Sequence, residues 1–334
     1  MNIIFVTRLY SPHLGGVEKV VENLAVNLVK RNHKVCVITS KHDLNLPDSE
    51  LIKGVQIIRI WYPRVKFLGI FIMWCQMVKL LLKILRSDIV HIHDVFVWYL
   101  PIRLILPFKK VYLTIHGWEG QSKIPIKSLL QKRLSCLLST KTILVGSYLE
   151  KLYGVKGHLI SYGGVDSKKK QFSPKVKNNL VYVGRLDRSA DLQIILKVLK
   201  NYKSEYKITF IGDGDLSSNC KKIGAVTGFT DPYFYLEKSR ICIAIGYLST
   251  LESLAHENET IVVCANPIRK LAFVNAPFAK YIELIEDEFH LNFVLDKLLK
   301  TKSISRKTKL GAKFARKFTW DKLANDYLKI WNEK

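Results

Sequence analysis

The chain has 334 residues, 48% of them hydrophobic, and its 53 Lys and Arg against 28 Asp and Glu give a net charge of +25. That length suits two domains, and the apolar content is enough for real cores, which excludes a globally disordered chain. The charge points to anionic partners (phosphorylated small molecules, anionic lipid or nucleic acid) without choosing among them.

In chain order, residues 2–6 (Asn-Ile-Ile-Phe-Val) read as a buried strand. The run is too short for a secretory leader. A loop, residues 8–16, carries Pro12 and the pair Gly15-Gly16. Val17, Val20, Val21, Leu24, Ala25, Leu28 and Val29 then form an i, i+3, i+4 stripe that predicts an amphipathic helix, and residues 35–38 a second strand. Strand, glycine loop, helix and strand make a βαβ unit, so the sheet is expected to be parallel. The glycine pair lets backbone approach a phosphate or sugar, or serves only as a turn; it lacks the G-x-G-x-x-G dinucleotide fingerprint.

Residues 55–60 predict another strand. Residues 67–86 predict one long, nearly buried helix with Gln76, Lys79, Lys83 and Arg86 as its wet stripe; an interfacial helix on an anionic bilayer is the alternative. The strand at residues 89–93 ends in His91-Ile92-His93, followed by Asp94, with both imidazoles on one face and no third metal ligand nearby. Residues 111–115 predict a strand ending in His116-Gly117, a position where a histidine faces the ligand crevice of a parallel sheet, with a core histidine as the alternative. Residues 123–141 mix Lys123, Lys127, Lys132, Arg133 and Lys141 with regularly spaced leucines, a basic amphipathic helix suited to a membrane surface or to plain solvation. Residues 142–145 are a strand, and Gly163-Gly164-Val165-Asp166 closes the first half.

Residues 167–179, polar and basic, are the best domain boundary. The strand–glycine pattern then restarts. Strands are predicted at residues 180–183, 206–211, 225–229, 241–245 and 260–264, with helices between them and two more at the end, residues 291–299 and 307–331. The strand at 241–245 leads through Gly246 to a helix start with Ser249 and Thr250 as candidate N-caps and Glu252 in its first turn. Such a strand, glycine turn and helix N-terminus read either as an anion site or as a plain βα turn in which Glu252 serves helix stability. The six cysteines make no C-x-x-C pair and several sit in apolar runs, so a reducing, cytoplasmic compartment is expected. The expected class is therefore α/β: two tandem Rossmann-like units with parallel sheets facing a central cleft.

Taken in order, Gly15-Gly16-Val17-Glu18, His91-Ile92-His93-Asp94, His116-Gly117, Gly164-Val165-Asp166, Gly184-Arg185-Leu186, Gly212-Asp213-Gly214, Gly228-Phe229, Leu251-Glu252-Ser253-Leu254-Ala255 and Phe318-Thr319-Trp320 resemble the motifs of a GT-B-fold glycosyltransferase of the family 4 type, retaining and metal-independent. The resemblance covers nearly the whole chain. It implies an acceptor-side domain at 1–166, a linker at 167–179, a nucleotide-sugar domain at 180–315 and a final helix, 316–334, crossing back to the first domain.

The resemblance also implies roles. Gly15 and Gly16 would approach the donor phosphate and sugar. His116 would meet the donor sugar, and Arg185, preceded by Gly184, would pair with the diphosphate. Gly212 would belong to the substrate-binding set and Phe229 would offer backbone groups to the base. Glu252 would hold the ribose hydroxyls, and the turn Gly246, Tyr247, Leu248 and Ser249 would present N–H groups. No cofactor is implied beyond the donor, a UDP- or GDP-linked sugar. The implied acceptor is a lipid-linked sugar, glycolipid or polysaccharide precursor of the cell envelope, reached from the cytoplasm at an anionic membrane surface. No nucleic-acid-binding motif accompanies the charge, so nucleic acid is not an expected partner.

Two departures stand out. Ala244 occupies the position of the family's first Glu, and Ala190 and Asp191 stand where a lysine follows the arginine, with Arg188 the nearest substitute. They motivate the alternative: a degenerate, non-catalytic GT-B protein binding a nucleotide or a partner transferase.

Overall fold

The computed structural model describes every residue except 64, 66, 119, 121, 122, 167–174, 302 and 334. The chain divides into two compact units. One comprises Met1–Gly117, Ile124–Ser161 and Trp320–Lys334, the other Trp118–Lys123 and Tyr162–Thr319.

The first unit runs β1 (Asn2–Thr7), α1 (Gly16–Val29), β2 (Lys34–Ser40), β3 (Ser49–Ile52), β4 (Val55–Ile60), α2 (Leu68–Lys79), α3 (Leu81–Leu85), β5 (Ile89–His93), α4 (Phe96–Ile105), β6 (Val111–Ile115), α5 (Ile126–Leu138), β7 (Lys141–Val145), α6 (Tyr148–Tyr153) and β8 (Leu159–Ser161). Its strands form one sheet in the order β3-β4-β2-β1-β5-β6-β7-β8. All pairs are parallel except β3 with β4, a hairpin the sequence reading did not contain. The hairpin turns on Lys53 (φ 51°) and Gly54 (φ 79°), two left-handed residues of the kind that match strand twist in a two-residue loop. The apolar stripe of α1 is buried as its spacing requires: Val20, Val21, Leu24, Ala25 and Leu28 all face the core.

The single helix predicted over 67–86 is instead two, broken at Leu80. It is not nearly buried either. α2 buries Gly69, Met73 and Met77, and Trp74 Nε1 donates to Val97 O at 2.7 Å, while Phe71, Val78, Leu82 and Leu85 remain exposed. One face suffices to pack against α4; the rest of the apolar surface has no described neighbour to cover it. No helix among the described residues is long and apolar enough to cross a membrane.

The second unit runs β9 (Val176–Val183), α7 (Leu192–Leu199), β10 (Lys207–Ile211), α8 (Ser217–Lys221), β11 (Ala225–Val226), α9 (Tyr233–Lys238), β12 (Ser239–Ala244), α10 (Tyr247–Ala255), β13 (Glu259–Val263), α11 (Pro267–Val274), β14 (Glu283–Ile285), α12 (Glu288–Lys300) and α13 (Arg306–Ala315). Its sheet is entirely parallel, ordered β11-β10-β9-β12-β13-β14. Leu180, Tyr182, Phe210 and Ile243 from the strands pack with Leu192, Ile195 and Leu199 of α7 and Leu291 and Leu295 of α12.

Of the predicted linker, residues 167–174 lie outside the described chain, and from Val176 onward the rest is strand. Val176 pairs with Ser239, and the Lys175 ammonium donates to Leu236 O and Ser239 O at 2.9 and 2.7 Å, which fixes the strand's entry.

The predicted terminal helix is also two. Between them Val165 N donates to Phe318 O at 2.7 Å and Val165 bridges Thr319, so two motifs far apart in sequence close one strand-like contact. Beyond it α14 (Trp320–Asn332) belongs to the first unit. There Arg31 reaches Asn325 Oδ1 and Asp321 Oδ1, each at 2.5 Å, and Tyr112 OH donates to Trp331 O at 3.1 Å.

Candidate active site

In each sheet the strand order reverses once, between β1 and β5 and between β9 and β12. In open α/β sheets, ligands bind at the carboxyl ends of the strands flanking that point. The sequence-predicted residues fall at these ends, in two groups.

In the first unit, β1 leads into a loop held by the buried Arg59, whose guanidinium donates to Ser11 O at 2.7 Å and Pro47 O at 3.2 Å and pairs with Glu50. Gly15 is the extended N-cap of α1 (φ −171°). A Cβ there would lie 2.3 Å from Glu18 Oε2, whereas one on Gly16 would meet nothing within 4 Å. Backbone at Gly16 is thus open to a ligand, beside first-turn N–H groups that lack intrahelical acceptors. Glu18, 3.4 Å from His13 Nδ1, takes one of those groups, its own N–H, and burial raises its carboxyl pKa.

His91 and His93 do share a face, with rings stacked at 4.8 Å, and both are buried. His91 belongs to the core: Trp331 Nε1 donates to its Nδ1 at 3.1 Å, so its proton sits on Nε2 and goes to Thr114 Oγ1 at 2.7 Å. His93 Nδ1 lies 3.0 Å from His116 Nε2, and its own Nε2 is buried without a hydrogen-bond partner among the described residues. A bare lone pair costs less there than an unpaired N–H, so His93 donates from Nδ1 and His116 carries its proton on Nδ1. His116 is partly exposed at the end of β6. Its backbone N–H donates to Asp94 Oδ1 at 3.1 Å, and Lys132 of α5 donates to the same oxygen at 2.9 Å. Burial lowers the pKa of all three imidazoles; at His116 Asp94 opposes this and Lys132 adds to it. The result is a neutral ring offering an N–H donor.

In the second unit the glycines converge. Gly184, after β9, has φ 157°, and a Cβ on it would meet Ile245 Cγ1 at 2.7 Å. Gly212, after β10, has φ 146°, and a Cβ would lie 1.9 Å from Gly184 O. Gly212 N donates to Gly228 O at 2.9 Å, which brings the end of β10 to the loop bearing Phe229. Arg185 projects from the same turn, its side chain 58% exposed, with Nε 3.5 Å from Asp187 Oδ2 and Nη2 donating to Ser189 Oγ at 2.8 Å.

The turn after β12 corrects the sequence reading in detail. Gly246 is the N-cap and Tyr247 the first helical residue, so Ser249 and Thr250 are not caps and Glu252 is in the second turn. Ser249 Oγ bonds back to Gly246 N at 3.1 Å, and Tyr247 OH donates to Ala272 O at 2.8 Å, so the tyrosine side chain ties the turn to α11. The backbone of Gly246, Tyr247 and Leu248 begins α10 with its positive end at the carboxyl end of β12. Glu252 is partly exposed one turn further on. Ala244 is buried at the end of β12 and Ala190 is buried in a 3₁₀ turn, Arg188–Ala190, so neither alanine offers a charge, and Asp191 beside Ala190 is a carboxylate rather than a cation. The sequence reading passed over the buried Arg269, whose guanidinium meets this turn; only its place in the helix after β13 hinted at it. Among the described residues no group of three His, Cys, Asp or Glu is arranged to hold a metal.

Two Rossmann-like units with glycine-lined strand ends at their switch points define the GT-B class of transferase fold. Residues 14–159 match the family model described as Glycosyltransferase Family 4. No curated protein sequence matches the chain. Solved structures do. Sucrose-phosphate synthase from Thermosynechococcus elongatus aligns with a TM-score of 0.77 at 15% identity, covering 99% of this chain and 98% of that one. Anabaena HepE, solved in complex with UDP and glucose, gives 0.72 at 11% identity, covering 98% and 99%. WaaG, a glycosyltransferase involved in lipopolysaccharide biosynthesis, gives 0.66 at 13% identity, covering 99% and 100%. At such identities these likenesses establish the fold. The chain is a glycosyltransferase of the GT-B type carrying a family 4 domain.

Proposed function

We propose that the protein transfers a sugar, with retention and without a metal ion, from a UDP- or GDP-linked donor to a lipid-linked sugar, glycolipid or polysaccharide precursor. The observation that carries this reading is the convergence of Gly184, Gly212 and the α10 N-terminus at one switch point, with Arg185 on the same turn. Gly184 and Gly212 let the strand ends pack closely together, and a Cβ on Gly246 would meet nothing within 4 Å, which leaves the start of α10 open to a diphosphate. Arg185 and the first-turn N–H groups of α10 meet the negative charge that builds on the leaving diphosphate, which stabilises the transition state. Glu252 holds the ribose hydroxyls, and the backbone at Phe229 reads the base. In the first unit, Gly15 and Gly16 serve the donor phosphate and sugar, and His116 donates from Nδ1 to a sugar hydroxyl.

The acceptor reading rests on surface chemistry. α5 buries only Ser135 and exposes Ile126, Leu130, Leu134 and Leu137 beside Lys127. Exposed apolar side chains beside lysines suit the face of an anionic bilayer, here on the cytoplasmic side. The second reading, a degenerate nucleotide-binding protein, is favoured by the uncharged Ala244 and Ala190.

Turnover of UDP- and GDP-sugars by purified protein in the presence of a chelator, with product stereochemistry read by NMR, tests the proposal. Release of the nucleoside diphosphate with retention supports it and excludes the degenerate reading. Binding without turnover favours the degenerate reading. A thermal shift with one nucleotide that disappears in Glu252→Ala narrows the donor.

A further inference from the structure

The turn carrying Arg185 is gripped by a residue that nothing so far has assigned. Arg269, the third residue of α11, is 2% exposed. Its Nη2 donates to the carbonyl oxygen of Ser189, and its Nε lies 3.4 Å from Asp191 Oδ2. Asp191 sits in the left-handed region (φ 54°), and its carboxylate also accepts from Asn266 N at 3.4 Å. Asn266 in turn caps α11, its side chain accepting from Ile268 N at 2.9 Å and Arg269 N at 3.3 Å. The cap, the guanidinium and the aspartate form one knot between the end of β13 and the turn after β9.

Ser189 links the knot to Arg185. Its carbonyl is held by Arg269, while its hydroxyl accepts from Arg185 Nη2 at 2.8 Å and donates to Asp187 Oδ1 at 2.6 Å. A buried guanidinium is costly unless it is paired and used. Nη1 of Arg269 has no hydrogen-bond partner among the described residues, so its cost is not fully offset by local bonds. At the position where a cation of the turn itself would stand is the buried Ala190.

We propose that Arg269 is a positioning residue for the donor diphosphate: by pinning Ser189 from α11 it fixes the turn from which Arg185 meets the phosphates. This rests on the transferase reading above. Arg269 is buried and acts through Arg185, so its removal weakens recognition of the diphosphate and leaves recognition of the nucleoside unchanged. It also has no effect once Arg185 is gone.

The test is calorimetric and thermal-shift titration of UDP, GDP, uridine and guanosine against wild type, Arg269→Met, Arg269→Lys, and both Arg269 variants with Arg185→Ala. Should the unpaired Asp191 unfold Arg269→Met, the variant R269M/D191N removes the pair together and keeps a residue that tolerates a left-handed backbone. The expected result is about a tenfold loss of diphosphate affinity in the methionine variants, the worth of one charge-assisted hydrogen bond. Partial rescue is expected in Arg269→Lys, which can still donate to Ser189 O. Nucleoside affinity should not change, and no further loss should appear in the Arg185→Ala background. Wild-type diphosphate affinity in the methionine variants overturns this inference alone. So does equal loss of nucleoside and diphosphate, or additivity with Arg185→Ala. Failure of the wild type to bind any of the four ligands overturns the transferase reading and this inference with it.

Discussion

Lowering the pH from about 7.5 to about 5.5 should destabilise the first unit through His91 and His93. Both imidazoles are buried and burial holds their pKa well below the ordinary value, so the folded rings stay neutral while the unfolded ones take up protons. The unfolded state then binds more protons, and stability falls as the pH falls below about 6.5, until the folded pKa values are reached. Over that interval a histidine of ordinary unfolded pKa contributes RT ln(11/1.1), about 1.4 kcal/mol, and the pair about 3 kcal/mol, a large part of a typical folding free energy. His116 acts in the same direction. Glu18, whose carboxyl pKa burial raises, acts in the opposite sense at more acid pH. The assay is urea unfolding by circular dichroism at both pH values for wild type and His91→Gln. Glutamine can accept from Trp331 and donate to Thr114, but it does not titrate. The wild type should lose about 1.4 kcal/mol more than the variant on acidification, and Glu18, common to both, cancels in the difference. An equal loss in the two proteins would refute the argument.

Three further outcomes follow from the second unit and from α5. Arg185→Ala should lower kcat at least about a hundredfold with little change in melting temperature, because its side chain is mostly exposed; normal turnover would remove Arg185 from the site. Gly212→Ala should cost roughly 2–4 kcal/mol in thermal melts, because its Cβ would lie 1.9 Å from the Gly184 carbonyl oxygen at a φ of 146°; a wild-type melting temperature would contradict that geometry. Replacing the exposed Leu134 and Leu137 with Glu should shift stability by no more than about 0.5 kcal/mol while cutting co-sedimentation with phosphatidylserine vesicles at least about tenfold. Unchanged co-sedimentation would move the membrane contact away from α5.

The parts of the site that were legible in the sequence are local. Gly184, Gly212 and Gly246 follow runs of apolar β-formers, and a glycine ending such a run marks a strand end whatever surrounds it. The α1 stripe carried its own periodicity, and alternation put His91 and His93 on one face. Other features left no such trace. Lys53-Gly54 gave little sign of a hairpin because lysine is not a usual left-handed residue. The apolar run over 67–86 looks the same whether its leucines are covered or bare, so neither the break at Leu80 nor the exposure of Phe71 and Leu82 was visible. α10 is capped by Gly246, three residues before the Ser249 that the sequence offered, which moves Glu252 from the first turn to the second.

Side-chain periodicity and turn chemistry act over a few residues, so the sequence by itself determined the two α/β units, their parallel strands and the glycine-bearing strand ends. Contacts between distant segments were decided only by the tertiary structure. Trp331, 240 residues from His91, makes that histidine a core group rather than a ligand. Arg269, 80 residues from Ser189, grips the turn of Arg185. Which charges meet, and which apolar faces stay bare, depends on how the chain closes on itself, and a neutral ring or a buried guanidinium is a property of that closure.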